Sequence, residues 1–205
     1  HWSPQQVLDE VPTPTQPPNQ TWEYANANFI VLGLLVKAVA GVDLPTAMPR
    51  DLWEPLALNR LAYQDAQALP PPLAAPGGDD GLPTSGTAAP YLPYRSLASA
   101  AGAAGRISGD ALSVAKWGYD LYGARLLKPD SISQMTDFDD GDGYGLGTFD
   151  YTDDHWFRYG IDGFGHTGVI AGYRTVLAVY PAEDLSIAIL TPSSVEPWSF
   201  VRYLK

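Results

Sequence analysis

Two short strings hold the side chains best suited to chemistry, Tyr24-Ala25-Asn26 and Gly165-His166-Thr167-Gly168. A phenol, a carboxamide, an imidazole and a hydroxyl are the groups that relay protons and align a polar substrate. Together they look like two thirds of an active site, with an activated nucleophile as the missing third. Each residue also has a plainer reading. Tyr24 suits a core aromatic beside Trp22, Asn26 suits a helix cap, and His166 by itself suits a structural position.

Other candidates weaken when spacing is checked. Ser113-Val114-Ala115-Lys116 has nucleophile-and-base spacing, but it reads as a surface serine and an exposed lysine on an amphipathic helix. Asp137, Asp139, Asp140 and Asp142 suggest a calcium loop, yet Asp142 stands where that loop needs glycine and Thr148 where it needs glutamate. A solvated acidic turn is the expectation. Asp153, Asp154 and His155 are adjacent at a strand start, where three neighbours seldom converge on one ion, so no metal is expected. Trp117, Tyr119 and Tyr122 read as packing residues, and Tyr91, Tyr94 and Trp156 as the border of a cleft.

The elements that must position these residues follow from pattern. Residues 3–10 read as a helix capped by Ser3 with Pro4 in its first turn, stopped by Pro12. Residues 12–20 are too proline-rich to be helical. A helix from Asn26 or Asn28 to Ala40, with an Asx cap and Gly41 as its stop, is apolar nearly all round and is expected to be buried. Its apolar run Phe29–Ala40 falls well short of the ~20 residues that span a bilayer. Further helices are expected at Asp51–Leu58, with a break at Pro55, at Ile107–Gly123, and at Pro129–Met135. A long loop is expected over 66–94. After Gly141 the chain turns to β character, with strands at Tyr144–Phe149, His155–Tyr159, Val169–Tyr180 and Leu185–Thr191, a hairpin at Pro181–Asp184, and a helix starting near Val195. The order is α+β: a helical lobe over 1–140 and an antiparallel sheet lobe over 141–205, parts of one domain with a cleft between them.

Composition narrows the function. With 45% hydrophobic and 17% charged residues the 205-residue chain is globular rather than disordered, and its length allows about 70% of the unfolded surface to be buried. Lys and Arg total 12 against 23 acidic residues, a net charge of −11 that repels a nucleic acid backbone. The absence of cysteine excludes disulfides and thiolate catalysis and leaves the compartment open. The chain opens with no signal-peptide pattern, so an export signal would lie upstream of residue 1.

Tyr24-Ala25-Asn26-Ala27-Asn28-Phe29-Ile30-Val31-Leu32-Gly33 resembles the Tyr-x-Asn segment of the serine penicillin-recognising hydrolases: class C β-lactamases, D-Ala-D-Ala carboxypeptidases and related esterases. Gly165-His166-Thr167-Gly168, followed by Gly172-Tyr173, resembles their third motif in its His-Thr-Gly form. Glu54-Pro55-Leu56-Ala57-Leu58, Ala104-Gly105-Arg106-Ile107-Ser108 and Tyr144-Gly145-Leu146-Gly147 fall between them in the order the family shows.

The resemblance implies a β-lactamase/transpeptidase-like fold and an acyl-enzyme mechanism on an amide or ester, with no cofactor. Tyr24 would be the base or proton relay, and Asn26 would bond the substrate amide and a lysine. His166, Thr167 and Gly168 would line the sheet side and orient the substrate. The Val169 N–H would be an oxyanion donor, a contribution of ~3 kcal/mol to the transition state. The family's Ser-x-x-Lys precedes Tyr-x-Asn, whereas the residues before Tyr24 include Ser3 and no lysine. The expectation is a C-terminal portion, incomplete at its N-terminus, completed by an N-terminal segment or a second chain that covers a sheet edge and apolar surface. Substrates would be small amides or esters, including a peptidoglycan peptide or a β-lactam, in a secreted or cell-envelope setting. A non-catalytic module that keeps the cleft is the competing expectation, and transpeptidation differs only in the acyl acceptor.

Overall fold

Alternating apolar residues from Phe164 to Thr191 build the largest element, an antiparallel sheet. A computed structural model describes residues 1–14, 16–18, 20–67, 74–77, 95–138, 143–152, 162–201 and 203. The expected strand His155–Tyr159, the residues Tyr91, Tyr94 and Trp156, the aspartates 139, 140, 142, 153 and 154, and most of the loop 66–94 lie outside the described residues. The chain divides into two compact units. One comprises His1–Ala57, Leu61–Leu73 and Ser85–Ser108, the other Leu58–Arg60, Ala74–Thr84 and Gly109–Lys205.

In the first unit, α1 (Pro4–Asp9) starts with a capping box: the Gln6 N–H donates to Ser3 Oγ and the Ser3 N–H to Gln6 Oε1. The next helix, α2 (Asn26–Ala40), ends at Gly41, whose φ of 71° is the left-handed conformation of a glycine stop. Its cap is Ala25, with no side-chain bond, which corrects the expected Asx cap. The expected burial of α2 is corrected too. Only Ile30 is buried, while Leu35 is 56% and Val39 81% exposed. Composition that is apolar all round selects no face; a glycine does. At Gly33 a Cβ would lie 2.6 Å from the Ala103 methyl and 3.2 Å from Leu44 Cδ1, so the helix closes on the 3-10 turn Gly102–Ala104 there, while Val31, Leu32, Leu35 and Val39 stay exposed.

Asp43 and Pro45 start a helix earlier than expected: α3 (Leu44–Met48) runs into a π-helical turn Pro49–Trp53, and Pro55 lies beyond its end. Two short strands follow in the same unit, β1 (Ala62–Tyr63) and β2 (Ile107–Ser108), antiparallel and paired Ala62 to Ser108. Between them comes α4 (Arg95–Ala101). Ile107 and Ser108 had been expected to open a helix; β-branched Ile107 pairs with Tyr63 instead. Asp65, beside this ribbon, is buried and accepts two bonds from Arg106 Nη1 at 2.8 and 2.9 Å. Arg106 also lies over the Tyr63 ring, which stacks on Trp53.

The second unit begins with α5 (Ala111–Tyr122), whose cap, Asp110, accepts the Ser113 N–H at 2.8 Å. It is followed by α6 (Pro129–Met135). The sheet has the order β3 (Phe149–Asp150), β4 (Phe164–Ile170), β5 (Tyr173–Tyr180), β6 (Leu185–Thr191), and α7 (Trp198–Val201) closes the unit. The expected strand Val169–Tyr180 is in fact two. Ala171-Gly172 turn the chain, with Gly172 at φ 76°, so the His-Thr-Gly string and Val169 share β4. The expected Tyr144–Phe149 strand is mostly a turn closed by a bridge between those two residues.

Helix α5 meets the sheet through a small residue. At Gly118 a Cβ would lie 2.7 Å from Leu177 Cδ1 and 2.9 Å from Ser186 Oγ, so this glycine sets the approach. The inward positions are Ser113, Gly118 and Asp120, while Leu112 faces out. The helix therefore packs with the sheet, and the continuous stretch Gly109–Lys205 holds both in one compact unit.

Candidate active site

The two sequence strings form two local groups, one in each unit. In the first, the extended residues before α2 deliver Tyr24 to the helix start. Because Ala25 caps, Asn26 is the first helical residue and its carboxamide is spared from capping. The Tyr24 hydroxyl donates to Asn26 Oδ1 at 3.2 Å, and the Tyr24 ring lies 6.0 Å from that of Phe29. Burial pushes the Tyr24 phenol above its usual value, so at neutral pH it is a protonated donor. A phenolate here requires a cation at close range, and the one basic residue of α2, Lys37, is in its last turn.

In the second unit the register of β4 decides which backbone groups are presented. The Tyr151 N–H donates to the Gly163 carbonyl at 2.9 Å, and Phe149 pairs with Gly165. In an antiparallel ladder the bonded residues alternate. The N–H and C=O of Gly165, Thr167 and Val169 thus point towards the β3 side, and those of His166 and Gly168 towards β5. Strand β3 ends its pairing at Gly165. Among the described strands none pairs with Thr167 and Val169 on that side, and the Val169 side chain is 64% exposed. The close pairing on the other side needs glycine: a Cβ at Gly168 would collide with Thr175 Oγ1 across the ladder.

Both ring nitrogens of His166 are engaged. Nδ1 donates to the Thr167 carbonyl at 2.6 Å, and the Tyr144 hydroxyl is 3.0 Å from Nε2. The imidazole lies 4.8 Å from the Phe149 ring and 5.7 Å from that of Tyr144. Burial depresses the His166 pKa and the Thr167 bond opposes it, so the ring is neutral near pH 7. Tyr144 is the residue that sequence reasoning passed over as a partner. Its turn is held by a Gly145 N–H to Thr148 bond of 2.8 Å and a Leu146 N–H to Met135 bond of 3.1 Å.

The Ser113-x-x-Lys116 string is structural. Ser113 is buried rather than on the surface, correcting the expectation. The Lys116 ammonium is 2.5 Å from Asp120, which also receives Arg125 at 2.7 Å. Asp120 is buried, which raises its pKa, but these two cations more than compensate and hold it below the usual range. Lys116 is therefore committed to a carboxylate, not to activating a serine.

A family model, Beta-lactamase, matches residues 7–202. The chain belongs to the Beta-lactamase family. The fold of this Beta-lactamase family chain is similar to that of a D-stereospecific amidohydrolase from Streptomyces sp., with TM-score 0.75 and 24% identity over 94% of the chain and 57% of the other. It is also similar to a D-amino acid amidase from Ochrobactrum anthropi SV3, with TM-score 0.74 and 19% identity over 94% and 56% of the two chains. A penicillin binding protein from Bacillus halodurans gives TM-score 0.73 and 18% identity over 98% and 61%. An unguisins hydrolase from Aspergillus violaceofuscus is 31% identical over 107 residues, 51% of this chain and 19% of that protein. The chain thus spans less than two thirds of the proteins it matches, and the structural likenesses speak for the fold.

Proposed function

We propose that this chain supplies the proton-relay and substrate-aligning parts of a β-lactamase-like serine hydrolase that cleaves an amide or ester through an acyl-enzyme. The nucleophilic serine and its lysine would come from outside these residues. The observation that carries the reading is the open side of β4, where the N–H of Val169 points away from β5 with no described strand opposite it. An outward N–H held rigidly by a strand is what stabilises a developing oxyanion, at ~3 kcal/mol per donor.

In this reading Tyr24 passes the serine proton onward, and a lysine beside it lowers a phenol that burial otherwise keeps protonated. Asn26, already bonded to Tyr24, orients the substrate amide. Thr167 holds the substrate's polar end, and Gly168 keeps β4 close to β5. Amides are the first substrate class to try, because two of the similar structures are named for amide hydrolysis. The test is hydrolysis of D- and L-amino acid amides by the gene product that carries these residues. Turnover that falls at least tenfold in Tyr24→Phe supports the reading. Binding of amides with no turnover supports a non-catalytic module instead.

A further inference from the structure

A backbone carbonyl only accepts, so in the 2.6 Å contact with Thr167 the proton sits on Nδ1 of His166. A neutral imidazole carries one N–H, which leaves Nε2 bare, and the Tyr144 hydroxyl must then be the donor in their 3.0 Å bond. The three groups form a chain of bonds in one direction, from Tyr144 O–H through the ring to the Thr167 carbonyl, and such chains reinforce each other. That carbonyl is one of four outward backbone groups on the side of β4 that no described strand pairs beyond Gly165, the others being the Thr167 N–H and the N–H and C=O of Val169.

We infer that Tyr144 is a positioning residue of this site: its hydroxyl holds the His166 ring in the orientation that caps the Thr167 carbonyl. Capping leaves two outward N–H donors against one carbonyl. The open side of β4 is thereby biased towards ligand groups that offer oxygen acceptors, a carbonyl or a carboxylate, over those that offer N–H. The inference rests on β4 being the substrate side in the reading above. Tyr144 itself reaches no substrate in this scheme, and it acts through His166 and Thr167. Its ring also packs edge-on against Phe149 at 4.5 Å, so packing and hydrogen bonding must be separated in the test.

The experiment is nitrogen-15 NMR of the histidine rings in the 205-residue chain, without substrate, for the unsubstituted protein, Tyr144→Phe and Phe149→Leu. The expected result is a His166 ring protonated on Nδ1, whose proton exchanges about fivefold faster in Tyr144→Phe, the factor of one typical net hydrogen bond. Phe149→Leu, which loosens packing against both the Tyr144 and His166 rings and keeps the hydroxyl, raises that exchange by less than Tyr144→Phe does. A proton on Nε2 in the unsubstituted chain overturns the inference, and that measurement needs no variant to fold. Exchange in Tyr144→Phe equal to that of the unsubstituted chain overturns it as well. Because no substrate is present, either failure leaves the hydrolase reading standing, and failure of amide turnover leaves these signals untouched.

Discussion

The hydroxyl of Tyr144 lies 3.0 Å from Nε2 of His166, and the far side of the same ring is bonded to the Thr167 carbonyl. The histidine of the His-Thr-Gly string is therefore a brace between a turn and β4, with neither nitrogen left bare for solvent. In the proposed reading, a substrate on this strand would meet the backbone and Thr167 more directly than the imidazole.

Stability should fall in mild acid because of this brace. Burial keeps the His166 pKa below its ordinary value of about 6.5. Between the two values the unfolded state binds more protons, so stability is present above about pH 6.5 and is lost as pH falls towards the depressed value. Urea unfolding at about pH 7.5 and about pH 5.5 should show that loss, and His166→Gln should reduce it. A slope identical in the two proteins would mean that His166 is not held neutral.

Gly168→Ala should cost about 1–3 kcal/mol, because its methyl meets Thr175 Oγ1 across the β4–β5 ladder. Thr175→Ala removes that atom, so the double substitution should be less damaging than the sum of the two. Denaturant midpoints of the four proteins measure the coupling, and simple additivity would contradict the contact.

Asp120→Ala should cost about 2 kcal/mol, since it removes the buried acceptor of two cations. Lys116→Met should cost less than about 1 kcal/mol, as the lysine side chain is 44% exposed. Equal losses from the two substitutions would show that Lys116 is buried more deeply than the helix geometry places it.

Val39→Lys in the 205-residue chain should change stability by no more than about 0.5 kcal/mol, because Val39 is 81% exposed. A loss of several kcal/mol in thermal or urea unfolding would mean that α2 is covered on that side.

Much of the scaffold was legible in local signals. Ser3-Pro4 and Gly41 marked helix ends because capping is decided within a turn, and Leu185–Thr191 was readable as β6 because its apolar and β-branched residues run without a breaker. Long-range choices were not legible. Ile107 pairs with Tyr63, 44 residues away, and no local pattern announces that partner. Likewise Ala171-Gly172 was hidden inside an apolar stretch, although a glycine at φ 76° is what splits it into two strands. For the candidate site, the motif strings named Tyr24, Asn26, His166, Thr167, Gly168 and Val169 as the residues to test, and the structure adds their local partners. The Tyr144 bond was invisible because it joins a turn to a strand 22 residues on, and the burial of Ser113 because Gly118 rather than an apolar stripe directs α5 onto the sheet.

The most direct test of the account is fluorophosphonate labelling of the gene product that carries these residues, with the adduct mapped by mass spectrometry. The expected adduct is on a serine outside residues 1–205 that has lysine three positions after it, formed at least tenfold more slowly in Tyr24→Phe, with Ser113 unlabelled. An adduct on Ser113, or no adduct on any serine, would contradict it.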